Sequence, residues 1–285
     1  MTPHSNTLKV SILCSCIIAS MIYGSSREDL WESTFVKIKK DSTLIYKPDE
    51  KGNVIPDFSN VGYYGGDRGI PEVLVVKTIA PTGTENDQPI IQAAIDEVSK
   101  RTPARNVFPG TVLLKKGTYR IPESIRIESS GVVLRGEGDE GNGTKLIATS
   151  KKKVSLIIVS GKGSPKEVPG SRVSIKDPYV PVGAVSFTVS SAAKFTQGDR
   201  VIVFRPGTEQ WIKDLKMDQI EARTGTRQWQ AKKYDLAFER IITRIEGDKI
   251  FIDNPVMMAM DTNYGGGRLY KYRFEGRINN VGIEN

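Results

Sequence analysis

The chain has 285 residues, 41 lysines and arginines against 33 acids, a formal net charge of +8, one histidine and two cysteines. That length can build a full hydrophobic core without disulfide staples, and the basic excess favours polyanionic partners such as uronate or sulfated glycans, or nucleic acid. His4, Cys14 and Cys16 all lie in the first 26 residues; without that segment there is no imidazole base, thiol nucleophile, disulfide or Cys/His zinc site, and acid–base work falls to Asp, Glu, Lys, Arg or Tyr.

Residues 1–26 read as a signal peptide. Lys9 gives a small positive start, VSILCSCIIASMIYG is apolar but short for a bilayer span, and Gly24-Ser25-Ser26 offers a cleavage point. The expectation is export, to the periplasm or the medium. Leu13-Cys14-Ser15-Cys16 faintly resembles a lipobox, so lipid anchoring is the alternative. No later stretch is apolar enough for a stable membrane span.

Residues 27–76 predict an irregular leading segment with one apolar run, an EKGN turn and GYYGGDRG, in which Asp57 and Asp67 are turn residues. DQPIIQAAIDEVSK predicts a helix, capped by Asp87, with Pro89 in its first turn and Ile91, Ala94, Ile95 and Val98 on one face. TVLLKKGTYRI, ESIRIESSGVVLRGEG and GTKLIAT then predict short strands between glycine turns. Leu114 and Leu134 stand about twenty residues apart, the period of stacked coils in a parallel β-helix. Residues 77–160 therefore predict a solenoid whose first coil is covered by a helix, with a lateral groove suited to a polymer.

Residues 161–172 predict a loop, and 161–256 an inserted β-barrel-like module. AVSFTVSS alternates, a Gly-Asp turn leads into RVIVFRP, and Glu246-Gly247-Asp248 marks a hairpin. Between its strands runs a long polar loop, GTEQWIKDLKMDQIEARTGTRQWQAKKYDLA, with a short helix expected inside it. Residues 257–285 predict a return to β-helix coils, INNVGIEN paralleling ESSGVVLRG in polarity. The last residues are strand-like and carry no polar cap, so the expectation is a front portion truncated at its C-terminus from a longer protein.

Gly136-Glu137-Gly138-Asp139-Glu140-Gly141 fits G-x-G-x-x-G, but a second strand follows instead of a helix and three acids would repel phosphate. It is a turn and no nucleotide site. Nothing resembles a nucleic-acid module. Trp211, Trp229 and Tyr234, with Arg205, Arg223 and Arg227, combine aromatic faces for sugar rings with guanidinium forks for carboxylate or sulfate. The plainer alternative is that the indoles anchor the loop and the arginines are solvated. Glu209, Asp214, Asp218 and Glu221 add carboxylates, Asp214 and Asp218 sharing a face if that piece is helical. Their spacing is loose for a hydrolase pair or a calcium site. Tyr264, followed by three glycines and then Arg268, Lys271 and Arg273, supplies the phenol and cations that β-elimination would need, or simply a glycine turn beside strand-end charges. The candidate substrate-binding set is Arg205, Trp211, Asp218, Arg223, Trp229 and Tyr264; the catalytic residues stay unassigned and no metal ligand set stands out.

The run GTENDQPIIQAAIDEV…GTVLLKKGTYRI…SSGVVLRGEG…GTKLIA resembles the start of the pectate-lyase-like domains grouped with rhamnogalacturonases and epimerases, over about residues 70–150. A looser likeness to uncharacterised members of that superfamily runs through IPDFSNVGYYGG, GDRVIVFRP, FERIITRIEGDKIFIDNPV and GRINNVGIEN. The resemblance implies a mainly β protein built on a single-stranded, right-handed parallel β-helix of the pectin lyase type with an N-terminal capping helix. It also implies action on an acidic polysaccharide, pectin, rhamnogalacturonan or another uronate glycan, as a lyase or a glycoside hydrolase. A lyase would use Arg or Lys, with calcium as an aid; a hydrolase would use paired carboxylates on coils beyond residue 285. The alternatives are a non-catalytic glycan-binding adhesin and a structural fibre or envelope protein of the same fold.

Overall fold

Short apolar runs bounded by glycine and polar turns suit strands buried on both sides, and such strands pair in parallel. In the computed structural model, which describes residues 31–102 and 108–285, they do so. The expected signal peptide lies outside the described residues. Val75–Ile79, Gly110–Leu114, Val132–Arg135 and Gly282–Glu284 form one parallel sheet. Gly117–Ile121 pairs in parallel with Thr144–Ala148, and Ile125–Ile127 with Ile157–Val159. Two successive passes of the chain, 110–127 and 132–159, thus each place one strand in each of three sheets, the connectivity of parallel β-helix coils. The helix Gln88–Ser99 buries Ile91, Ala94, Ile95 and Val98 against Val112, Leu114, Tyr119 and Ile125 inside the first of these coils.

The coil period differs from the one expected. Leu134 lies beside Val112, 22 residues back, and not beside Leu114. On the second sheet Gly117 pairs with Thr144, 27 residues on, and on the third Ile125 pairs with Ile157, 32 residues on. The added length sits in the turns 136–143 and 149–156, which lie outside the stacked strands. GEGDEG is such a turn: Gly138 has φ +94°, its carbonyl accepts from Thr144 N, and the strand Thr144–Ala148 follows at once.

Asp87 has a different role from a helix cap. Its side chain makes no capping bond to the helix. It is fully buried and accepts from Thr82 N (2.8 Å), Thr82 Oγ1 (2.6 Å) and Arg120 N (2.9 Å), joining the approach to the helix to the strand Gly117–Ile121. Burial opposes ionisation, but the bonds from Thr82 and Arg120 outweigh it, and the carboxyl titrates below the ordinary aspartate value. Asp87→Ala leaves two part-buried backbone N–H groups unpaired and should cost about 1 kcal/mol, read from urea unfolding midpoints. The unfolded chain takes up this proton more readily than the folded one. The contribution is therefore complete above the ordinary aspartate pKa of about 3.9 and is lost as pH falls through the lower folded value, so Asp87→Asn should flatten the acid limb of the stability profile.

Between Val159 and Gly282 the parallel pattern stops. Lys166–Glu167, Arg268–Arg273, Arg200–Arg205, Leu236–Glu246, Lys249–Ile252 and Ser186–Thr188 follow one another in an antiparallel sheet, with Val173–Ser174 also paired to Arg268–Arg273. Alternation along the strands explains its faces. Val201, Val203 and Leu269 point into a core with Ile242, Ile250 and Val256, whereas Ile202, Phe204, Tyr270 and Tyr272 form a smaller cluster on the other face. The module expected to be barrel-like does not close as a continuous sheet: among the described residues an isolated bridge between Ile175 and Val189 links its two ends. Gly247 and Asp248 turn the hairpin between Leu236–Glu246 and Lys249–Ile252, Gly247 with φ +57°. RLYKYR was expected among the β-helix coils, yet it lies in this antiparallel sheet because its partner is Arg200–Arg205. The parallel register resumes only at Gly282–Glu284, beside Val133, Leu134 and Arg135.

The leading segment contributes a three-stranded antiparallel sheet, Trp31–Glu32, Val36–Ile38 and Leu44–Tyr46. It docks on the antiparallel sheet's surroundings through Asn53 Oδ1, which accepts from Tyr179 Oη and Val182 N, both at 2.9 Å. Asp57 accepts from Ser59 N and Oγ, as a turn residue does.

Candidate functional site

The site grows from the end of one strand. In Arg200–Arg205 every second residue faces the core, and Arg205 shares the phase of Val201 and Val203. The alternation that buries the valines therefore buries the guanidinium too, and Arg205 is 3% exposed. After it, Gly207 turns the chain under Tyr234, where a Cβ would stand 2.7 Å from the Tyr234 backbone. Thr208 accepts from Trp211 N and starts the short helix Glu209–Asp214, which lays the Trp211 ring 4.1 Å from the Arg205 guanidinium carbon. Trp229 follows at 5.8 Å from Trp211, tilted by 44°, and Tyr234 stacks on Trp229 at 3.9 Å and 14°. The loop is tied at its base, where Gly207 N donates to Asp235 Oδ1 (2.9 Å) and Lys232 N to Gly207 O (3.0 Å).

The electrostatics of Arg205 are unusual. Its Nη1 is buried and has no hydrogen-bond partner, and among the described residues it forms no ion pair. Burial pulls its pKa down, opposed only by the nearby Tyr264 phenol. A guanidinium remains charged even so. A cation in that state carries a desolvation cost that an incoming carboxylate or sulfate would offset.

Tyr264 stands beside this group but is a poor base. Its Oη donates to Asp214 Oδ2 at 2.8 Å, and that bond, with some burial and the Asp214 charge, raises its pKa above the ordinary tyrosine value. Of the cations predicted beside it, Arg268 Nη1 donates to Gly267 O and Lys271 pairs with Asp199 at 2.8 Å, whereas Arg273 forms no ion pair among the described residues.

Of the six predicted residues, four converge: Arg205, Trp211, Trp229 and Tyr264. Arg223 does not. It lies at the exposed tip of the loop, paired with Glu221. Asp218 also lies apart from Arg205's contacts, half-buried with Oδ1 unpartnered. Asp214 and Asp218 share no helical face, since the helix ends at Asp214 and Lys216 turns left-handed at φ +56°. Tyr234 and Asp214 join the cluster in their place. What separates Arg205 from Arg223 is its phase with two buried valines, a signal that the grouping of the arginines by loop passed over. Among the described residues no three Asp, Glu, His or Cys side chains gather as a metal would require.

Neither a family model nor a curated protein matches the chain. Among solved structures it is similar to three phage tailspikes. One is Gp54 of Acinetobacter baumannii bacteriophage AP22, solved in complex with A. baumannii capsular saccharide, at 13% identity and a TM-score of 0.34, covering 70% of this chain and 26% of that one. The second is gp61 of Pseudomonas phage phi297, at 18% and 0.35, covering 69% and 26%. The third is gp49 of Pseudomonas phage LKA1, at 15% and 0.30, covering 69% and 27%. The chain spans about a quarter of the length of these tailspike chains. Likeness this slight transfers no activity.

Proposed function

We propose that this is an exported protein acting on an acidic polysaccharide, built on a right-handed parallel β-helix of the pectin lyase type and holding its glycan at the Arg205 cluster. One observation carries the reading: a buried guanidinium whose Nη1 has no hydrogen-bond partner lies under an indole, at the head of a row of aromatic rings. Moving the Trp211 ring opens Arg205 to a uronate carboxylate or a sulfate, and the Trp229 and Tyr234 rings offer apolar surface to the sugars beside it. Residues 161–281 then form a glycan-holding module set between two coils.

Binding is the part of this function that the cluster supports best. Cleavage, as a lyase or a hydrolase, needs a base or a pair of free carboxyls. Here Asp214 is bound to Tyr264 and Glu221 to Arg223, while Asp218, whose Oδ1 has no partner, lies apart from the contacts of Arg205. A non-catalytic glycan binder of the same architecture is therefore the second reading. Both are tested together by affinity electrophoresis in polygalacturonate, alginate and a sulfated glycan, followed by assay for unsaturated uronate and new reducing ends. Wild type should be retarded by an acidic glycan and not by a neutral one, and Trp229→Ala should lose roughly tenfold in affinity. Migration unaffected by every acidic glycan would end the proposal. Product formation would assign an enzyme, and retardation without product a binder.

A further inference from the structure

On the same strand pair, at the end away from Arg205, the segment 162–169 and the residues 273–276 enclose a cavity of about 570 Å³. An adjoining hollow of about 340 Å³ shares Arg273, Phe274 and Glu275 with it and continues past Arg200. Together they form a trough. Arg200 and Arg205 stand five residues apart, so about 17 Å of strand separates the trough from the Arg205 cluster.

Two like charges stand side by side in its lining. Lys166 and Arg273 are register partners in the antiparallel pair between Lys166–Glu167 and Arg268–Arg273. Like charges directly opposite each other destabilise such a pair. Of the two acids that line the trough, Glu167 is held by Arg172, and Glu275 forms no ion pair with either cation among the described residues. Among the described residues neither Lys166 nor Arg273, nor Lys162 at the rim, forms an ion pair. The backbone around them is fixed, since Lys162 N donates to Gly276 O at 2.9 Å. Phe274 adds an aromatic surface, with Arg277 over its ring at 4.8 Å.

We infer that this trough is a second anion-binding site, in which Lys162, Lys166 and Arg273 hold the carboxylate or sulfate groups of an acidic oligosaccharide against Phe274. The inference rests on the reading that the ligand is an acidic glycan, and adds a separate subsite to it. Bound anionic oxygens would supply the countercharge that the Lys166–Arg273 pair lacks. The trough and the Arg205 cluster would then engage one polymer at two points, raising its retention through effective concentration.

The test is calorimetric titration of the full chain with an oligogalacturonate and with a sulfated oligosaccharide of the same length, using wild type, Lys166→Ala/Arg273→Ala, Lys166→Arg and Trp229→Ala. The double variant should bind the preferred ligand roughly tenfold more weakly or worse. Its melting temperature without ligand should equal or exceed that of wild type, because a repulsion has been removed. Lys166→Arg should bind as wild type does. Preference for one oligosaccharide identifies carboxylate or sulfate as the recognised group. Wild-type affinity in the double variant, with binding lost in Trp229→Ala, overturns the trough and leaves the Arg205 reading standing. Failure of wild type to bind either ligand overturns both.

Discussion

Arg205→Met is expected to stabilise the protein by about 1–2 kcal/mol while weakening its hold on an acidic glycan by about a hundredfold. The two effects have one cause. In the free protein the guanidinium is 3% exposed and its Nη1 has no partner, so folding removes a charge from water without replacing its hydration. Methionine fills a similar volume, keeps a favourable sulfur contact with the Trp211 ring, and carries no charge to desolvate. The same exchange deletes the only group in the cluster that forks around a carboxylate. Thermal melts without ligand and titrations with oligogalacturonate report the two halves separately. Arg205→Lys separates charge from geometry: it should retain part of the affinity and none of the bidentate specificity. If Arg205→Met melts below wild type and binds unchanged, the arginine is a packing residue only.

Gly276→Ala is expected to cost about 3 kcal/mol, and Gly161→Ala a similar amount. These glycines mark where the chain leaves the second coil and where it comes back. A Cβ on Gly276 would stand 1.9 Å from Lys162 O, and one on Gly161 would stand 2.0 Å from Gly276 O. Both obstacles are backbone atoms, which cannot swing aside as the end of a side chain can. The hydrogen bond from Lys162 N to Gly276 O closes the same crossing. The pair of substitutions should therefore cost less than the sum of the single ones, since either alone already forces the two segments apart. Gly69→Ala is the control: a Cβ there meets nothing within 4 Å, so the change should stay within about 0.5 kcal/mol. Urea unfolding midpoints measure all four. Equal stability of Gly276→Ala and wild type would mean that the two segments can part at this crossing without cost.

The crossing also bears on the trough, because Gly276 lines it and its carbonyl holds the Lys162 backbone there. A widened neck should weaken anion binding there before it affects the Arg205 cluster, which hangs from the opposite end of the strand pair. Stability and binding thus fail in a set order along one strand.

How far the sequence could be read depended on which periodicities were unambiguous. The helix face was legible residue by residue, because Ile91, Ala94, Ile95 and Val98 repeat at helical spacing and all four are buried. The coil register was not. Strands buried on both sides read as unbroken apolar runs, and a slip of two residues keeps every side chain on its own face. Nothing in the pattern could therefore choose between Leu114 and Val112 as the neighbour of Leu134. Asp87 was legible as a residue with a local duty, but whether its carboxylate turned to the helix or to Thr82 and Arg120 depended on a strand 33 residues away. Arg205 and Arg223 looked alike in the chain. Strand phase buried the first, and the loop tip left the second to Glu221.

By itself the sequence determined the kinds of element and the chemistry available: a helix followed by short stacked strands, hairpin turns at glycine, and aromatic and cationic side chains crowded into one long loop. These are consequences of local spacing and composition, which act over a few residues. Only the tertiary structure decided which of those side chains meet. Arg205, Trp211, Trp229 and Tyr264 come from a strand end, a short helix, a loop and a glycine turn, and their contacts depend on antiparallel pairings between segments that lie far apart in the chain. The Lys166–Arg273 opposition was decided in the same way, because a register between two strands more than a hundred residues apart is set by the packing of the whole sheet and leaves no mark in either segment alone.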